Sequence, residues 1–222
     1  MKILIGMPSA SGAVPTLTAV SLFALQRPCS MGLITADQYR TDHARNLITK
    51  EFMKGDWDYL FFLDDDNPVP KDTLIKLLED DKDIVGVPIL TRRKDKEKGH
   101  WLCAFYGQSF NELRFYFPIE EFRDEGYLHR VDAVGMGCTL IKRKVLEKLH
   151  AKYRDYIFEF TAVNLKKPIE LDDRIIGARR MSEDLEFSER ASDMGFEIWI
   201  DTRIRPIHLG EQTHIQWSDN GG

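Results

Sequence analysis

The stretch Tyr59-Leu60-Phe61-Phe62-Leu63-Asp64-Asp65-Asp66-Asn67-Pro68 runs five apolar or aromatic residues straight into three consecutive carboxylates. A continuous apolar run of this length, bounded by acids and a proline, predicts a strand covered on both faces in the middle of a parallel or mixed sheet. Three adjacent carboxylates repel one another unless a cation sits among them, because like charges a few ångströms apart disfavour joint ionisation. Hard oxygen ligands suit Mg²⁺ or Mn²⁺, ions that commonly bridge protein carboxylates to substrate phosphates. Open α/β sheets hold their ligands beyond the C-terminal strand ends, where this run puts its acids. A polar turn capping the next helix would account for one Asp; three exceed that need.

Around this strand, 222 residues supply one domain with ample material for a core. The net charge of -5 opposes a nucleic-acid-binding role, which usually needs a basic surface. No stretch approaches the roughly 18 apolar residues of a transmembrane segment. Met1 to Gly6 is too short an apolar run for a signal peptide and reads as a first strand, so a cytoplasmic protein is expected. Cys29, Cys103 and Cys138 are odd in number and widely spaced, which predicts buried free thiols rather than disulfides or a zinc site.

Lys2 to Met7 predicts a core strand, and Pro8 to Gly12 a loop at its C-terminal edge, where a nucleotide base has room to rest. No G-x-G-x-x-G and no P-loop occurs. Helices are expected over Pro15–Gln26, Tyr39–Lys54, Lys71–Glu79 and Arg143–Leu149, with a strand over Met31–Thr35. In the second helix Ala44, Leu47, Ile48 and Phe52 share one face, and Asp42, His43, Arg45 and Asn46 crowd the first turns. Arg45 there offers an anion-matched fork, or alternatively an ion pair on a solvated face. Asp83–Leu90 reads as a strand and Thr91–Gly99, densely charged, as an exposed loop. Strands are further expected over His100–Gly107, Leu113–Phe117, Tyr127–Val134, Thr139–Lys142 and Phe196–Ile200. Gly135-Met136-Gly137-Cys138 has glycines where backbone must approach a neighbour or a ligand closely. Ile157–Arg180 carries no readable pattern. Ser182 is a natural N-cap for a helix whose Glu183, Asp184 and Glu186 exceed what its dipole asks for.

These pieces, in this order, resemble the metal-dependent nucleotide-sugar glycosyltransferases of the GT-A type, family 2-like. The resemblance rests on the first strand with Pro8, Ala44-Arg45-Asn46, Leu63-Asp64-Asp65-Asp66, Gly135 to Arg143, Glu183-Asp184-Leu185-Glu186-Phe187 and His208. It implies a single Rossmann-like α/β domain over 1–210, with a central mixed, mostly parallel sheet flanked by helices. A nucleotide-binding half, 1–66, would precede an acceptor half, 67–210, and a tail, 211–222. By the same resemblance Asp64 and Asp66 look like the D-x-D pair, with Asp65 able to share either role. Arg45 looks like the donor-side Arg near the diphosphate, Pro8 like the residue lining the base, and His208 like an added metal ligand. Asp184, or else Glu183, matches the catalytic base of inverting members.

The implied chemistry is consistent. A divalent ion, Mn²⁺ or Mg²⁺, stabilises the charge developing on a diphosphate leaving group. A carboxylate takes the proton of an acceptor hydroxyl. The implied donor is a nucleotide sugar, UDP-linked by default, and the acceptor is a glycan, a lipid-linked group or a protein. A sugar nucleotidyltransferase would share the strand and the metal, but Met7 to Val14 lacks the Arg- and Gly-rich loop of such enzymes. A non-catalytic sugar-binding module would have no use for Asp184, and a purely structural domain none for three strand-end acids.

Overall fold

The computed structural model describes residues 1–95, 99–110, 113–119, 122, 126–171, 174–209 and 214–215. The chain begins β1 (Lys2–Ser9), α1 (Thr16–Ala24), β2 (Ser30–Asp37), α2 (Thr41–Lys54), β3 (Tyr59–Leu63), α3 (Thr73–Glu79) and β4 (Ile84–Gly86). It continues with β5 (Leu90–Asp95), β6 (Gly99–Leu102), β7 (Ala104–Phe110), β8 (Leu113–Pro118), β9 (Leu128–Val131), β10 (Ala133–Val134), β11 (Cys138–Lys142) and α4 (Arg143–Tyr153). It ends with β12 (Thr161–Leu171), β13 (Arg174–Met181), α5 (Glu183–Asp193), β14 (Ile198–Asp201), β15 (His208–Leu209) and β16 (His214–Ile215).

Seven strands form the main sheet in the order β2-β1-β3-β11-β4-β14-β9. β1, β2, β3, β4 and β14 run parallel, while β11 and β9 oppose them. This is the expected α/β architecture, a mixed and mostly parallel sheet with helices on both faces. β3 lies inside it, and Leu60, Phe61, Phe62 and Leu63 are each 0% exposed. Because successive strand residues point to opposite faces, Leu60 and Phe62 feed a core with Ile48, Phe52, Leu146 and Phe187. Phe61 and Leu63 feed a second core with Val69, Leu74 and Leu77. The edge of Phe62 meets Phe158 at 5.4 Å, and Phe158 stacks on Phe187 at 4.8 Å. Each buried ring contributes about 1.5–3 kcal/mol from removal of apolar surface from water.

The structure corrects several boundaries. The strand expected over Asp83–Leu90 stops at Gly86, because Pro88 lacks the N–H that would continue the ladder. The charged run after it is no loop: β5 and β6 pair as an antiparallel hairpin, with 96–98 outside the described residues. Tyr127–Val134 divides at Asp132, whose carboxylate accepts from the Gly107 N–H at 2.9 Å. β9 then joins the main sheet and β10 joins β7. On α2, Leu47 is 40% exposed, and Asp42, Arg45 and Thr49 are buried beside Ala44, Ile48 and Phe52. Ion pairing draws Arg45 inward and turns Leu47 outward. Ile157–Arg180 contains an antiparallel ribbon, β12 with β13. Of the tail, only 214–215 is described. The three cysteines are free as expected, although only Cys138 is fully buried. No helix among the described residues is long and apolar enough to cross a membrane.

Candidate active site

α2 carries Arg45 beneath the end of β3, with its side chain 3% exposed. Its Nη2 donates to Asp64 Oδ1 at 2.9 Å and Oδ2 at 3.2 Å, and its Nε donates to Glu183 Oε1 at 3.3 Å. The guanidinium also lies 5.2 Å from the Phe62 ring centroid. Burial alone would make Arg45 release its proton more easily, but Asp64, Glu183 and Asp184 outweigh it and hold the proton more firmly than usual. Arg45 is therefore a buried cation rather than part of a solvated face. Its Nη1, also buried, has no hydrogen-bond partner. A buried donor left unmade is costly, which marks the atom as a place where an anionic oxygen would fit.

α5 brings the second pair of acids. Ser182 occupies the N-cap position but makes no side-chain bond to the helix backbone; its hydroxyl donates instead to Asp184 Oδ1. The Leu185 N–H donates to the same oxygen at 2.8 Å. Burial pushes the Asp184 carboxyl above its ordinary range, with the Ser182 bond and Arg45 pulling the other way. Glu183 is likewise raised by burial first, with Arg45 opposing and Asp184 adding to the rise. The two are neighbours in one low-dielectric site and titrate together.

The glycine turn before β11 links these acids to the strand end. A Cβ on Gly137 would lie 2.8 Å from Asn67 Nδ2, 2.9 Å from Ile89 Cδ1 and 3.2 Å from Asp64 Oδ2. A Cβ on Gly135 would lie 2.9 Å from Cys103 Cβ and 3.6 Å from Asp184 Oδ2. The backbone therefore passes between the two clusters with no room for side chains. Cys103 sits at their meeting point: its thiol is pushed up to about 12, by burial first and then by Asp184, Asp64 and Asp66. The Asp64 N–H donates to the Gly137 carbonyl at 2.9 Å, which locks strand end and turn together.

Asp66 and His208 meet on the other flank. The Leu209 N–H donates to the Asp66 carbonyl at 2.9 Å and the Ile207 N–H to the Pro68 carbonyl at 3.0 Å, so the late chain is threaded alongside the acids. His208 Nε2 then stands 3.8 Å from Asp66 Oδ2. His208 Nδ1 lies 2.5 Å from the Leu90 carbonyl, which can only accept. The ring must donate there, leaving the Nε2 lone pair turned towards Asp66 when the ring is neutral. A backbone carbonyl fixing the far nitrogen is the usual support of a metal-binding histidine. Adjacent ligand atoms that are each about 2.1 Å from one ion stand about 3 Å apart, so the two side chains would draw together slightly to share a divalent cation. No group of three or more His, Cys, Asp or Glu poised for an ion occurs among the described residues. Substrate oxygens or water would complete the shell.

Pro8 is buried in β1 and pairs in register with Ala36, while Asp65 is partly buried next to Asp64. Sequence reasoning missed Asn67. Asn67, 3% exposed, donates from Nδ2 to Asp66 Oδ1 at 2.9 Å and leaves its own Oδ1 unpartnered. A concavity of about 340 Å³ along α2, lined by Tyr39, His43, Leu47, Asp155 and Tyr156, includes none of the acids at the strand end or on α5.

Comparison with solved structures places the fold. A197 from STIV superposes with a TM-score of 0.54 at 17% identity, covering 100% of this chain and 97% of that one. S. aureus TarS 1-349 in complex with UDP-GlcNAc superposes with a TM-score of 0.50 at 13% identity, covering 100% of this chain. The fold is GT-A-like. A second structure of TarS 1-349 gives a TM-score of 0.50 at 11% identity. This chain spans about three-fifths of the TarS structures, 60% and 59% of their length. Identities this low carry the fold alone. No protein-family model matches the chain, and no curated protein sequence matches it.

Proposed function

We propose that the chain is a divalent-metal-dependent glycosyltransferase, moving a sugar from a nucleoside-diphosphate donor to a hydroxyl acceptor. The observation that carries this reading is buried Arg45, with Nη1 unpartnered, between the strand-end Asp64 and the α5 acids. A diphosphate supplies the anionic oxygen that this atom lacks. The GT-A-like fold and the UDP-GlcNAc bound in one TarS structure support a UDP-sugar as the donor. Pro8 would line the base, and Asp64 with Asp65 the ribose side.

Asp66 and His208 would hold Mg²⁺ or Mn²⁺, with Asp64 as a further ligand if it trades Arg45 for the ion. Bound there, the ion neutralises charge developing on the diphosphate. Asn67 fixes Asp66 through Oδ1, and the Leu90 carbonyl fixes His208. Asp184 is the base, with Oδ1 occupied by Ser182 and Leu185 and Oδ2 turned to the glycine turn. The acceptor hydroxyl gives its proton to Asp184 as its oxygen bonds to the anomeric carbon. The bond from that carbon to the diphosphate oxygen breaks, and the nucleoside diphosphate leaves. Attack opposite the leaving group inverts the anomeric centre; retained configuration by product NMR would refute this step. Burial of Asp184 raises its proton affinity towards that of an effective base.

The test is calorimetric titration of UDP, GDP and UDP-GlcNAc, with and without Mn²⁺, into the wild type and Asp66→Ala/His208→Ala. Metal-dependent binding of one nucleotide, lost in the double variant, is the expected result. No binding by the folded wild type in any titration would overturn the proposal. Asp184→Asn separates a transferase from a non-catalytic binding module: nucleotide affinity persists and transfer is lost.

A further inference from the structure

Between Ile3 and Gln26 the chain contains no charged residue. α1 lies within that stretch. Thr18, 0% exposed, faces inward, and Leu25, just past the helix end and 4% exposed, joins the core that holds Leu74 and Leu77. The outer side of α1 shows Leu17 at 45%, Val20 at 57% and Phe23 at 86% exposure, preceded at the same spacing by Val14 at 39%. Residues three apart lie on one side of a helix, so these form a single apolar stripe. Apolar stripes open to water on an otherwise charged surface mark contact sites.

We propose that α1 seats the protein on an anionic lipid surface, with Leu17, Val20 and Phe23 in the headgroup-acyl boundary. The Gln26 N–H donates to the Lys71 carbonyl at 2.8 Å. That bond brings two exposed cations, Arg27 and Lys71, together at the C-terminal end of the stripe. Large apolar side chains flanked by cations are what an interfacial helix presents to acidic lipid. A second copy of the chain fits less well. α1 is nine residues long, whereas a stable protein interface takes about 800 Å² and 20–30 residues per partner. The charges beside the stripe are two cations at one end, which suit an anionic surface and would face each other unfavourably across many self-paired interfaces. A bilayer meets neither obstacle. The stripe begins just beyond the loop that leaves β1 at Ser9, so seating α1 holds the strand-end acids near the lipid surface.

The test is co-sedimentation with phosphatidylcholine vesicles containing a quarter phosphatidylglycerol, and with phosphatidylcholine alone. Circular dichroism melts would confirm that each variant is folded. The wild type is expected to pellet with the anionic vesicles. Phe23→Glu, at an exposed position, should lower the bound fraction about tenfold or more. Arg27→Glu/Lys71→Glu should remove the preference for anionic lipid. Failure of the wild type to pellet, or undiminished pelleting by Phe23→Glu, would overturn the proposal. So would a wild-type dimer in light scattering that Phe23→Glu converts to monomer. Neither donor nor acceptor enters these assays, so their outcome is independent of the transferase reading.

Discussion

Arg45 serves two elements at once, pairing with Asp64 at the end of β3 and with Glu183 at the start of α5. Arg45→Met should therefore lower stability by about 3–5 kcal/mol, the usual effect of stranding buried charges, measured by urea unfolding. Arg45→Lys returns the charge without the planar fork and should recover only part of the loss. At Asp184 burial raises the carboxyl, and a base works only when deprotonated. Turnover should fall as pH drops through a midpoint above the ordinary Asp range. Asp184→Asn should lose about 10²–10⁴ in kcat and that pH limb with it, with nucleotide binding retained. Two further buried acids lie away from the site. Asp80 and Asp201, with side chains 1% and 0% exposed, share Arg203, and Asp80 is pushed up to about 7 by burial and then by Asp201. The folded state binds this proton more tightly than the unfolded chain. Stability is thus full below the ordinary 3.8 and declines as pH rises through about 7. Asp80→Asn should flatten that decline in melts taken from pH 4 to 8.

Among the elements, the turn before β11 tolerates least. Gly137→Ala would drive a Cβ into Asn67 and Ile89, at 2.8 and 2.9 Å, and should cost about 1–3 kcal/mol through overpacking. Because Asn67 Nδ2 also donates to Asp66 Oδ1 and Asp64 Oδ2 lies 3.2 Å from the added Cβ, nucleotide affinity should fall along with the melting temperature. The need for glycine here was legible from the sequence, as were β3, α5 and the helical period of α2. What β11 does was not: it runs against β3 and β4, and an apolar run reads the same in either direction. The β12–β13 ribbon was hidden because it packs little of itself into a core. Ile175 is 81% and Val163 44% exposed, so the alternation that betrays a half-buried strand is missing. Asp64 and Asp66 stood out by type and His208 only through the family resemblance, whereas Asn67 gives no signal until its contact with Asp66 is seen.

For the molecule as a whole, the sheet order interlaces early and late chain. β11 separates β3 from β4, and β14 lies between β4 and β9. Removing either half would strip neighbours from strands of the other, so thermal unfolding followed by near- and far-ultraviolet dichroism should give one coincident transition. A fragment ending at Asp66 should not fold, because β3 would lose the partner that covers its 138–142 edge. Charge is also distributed unevenly with depth. Pairs such as Lys2–Asp56 and Lys50–Asp155 are at the surface, with side chains 47–82% exposed. Dissolved ions shorten the reach of such pairs from about 10 Å at 0.1 M to about 3 Å at 1 M. Arg45 and Glu183, at 3% and 9%, lie beyond the reach of those ions. In brine the protein would give up its outer pairs first and keep the central one that joins α2 to α5.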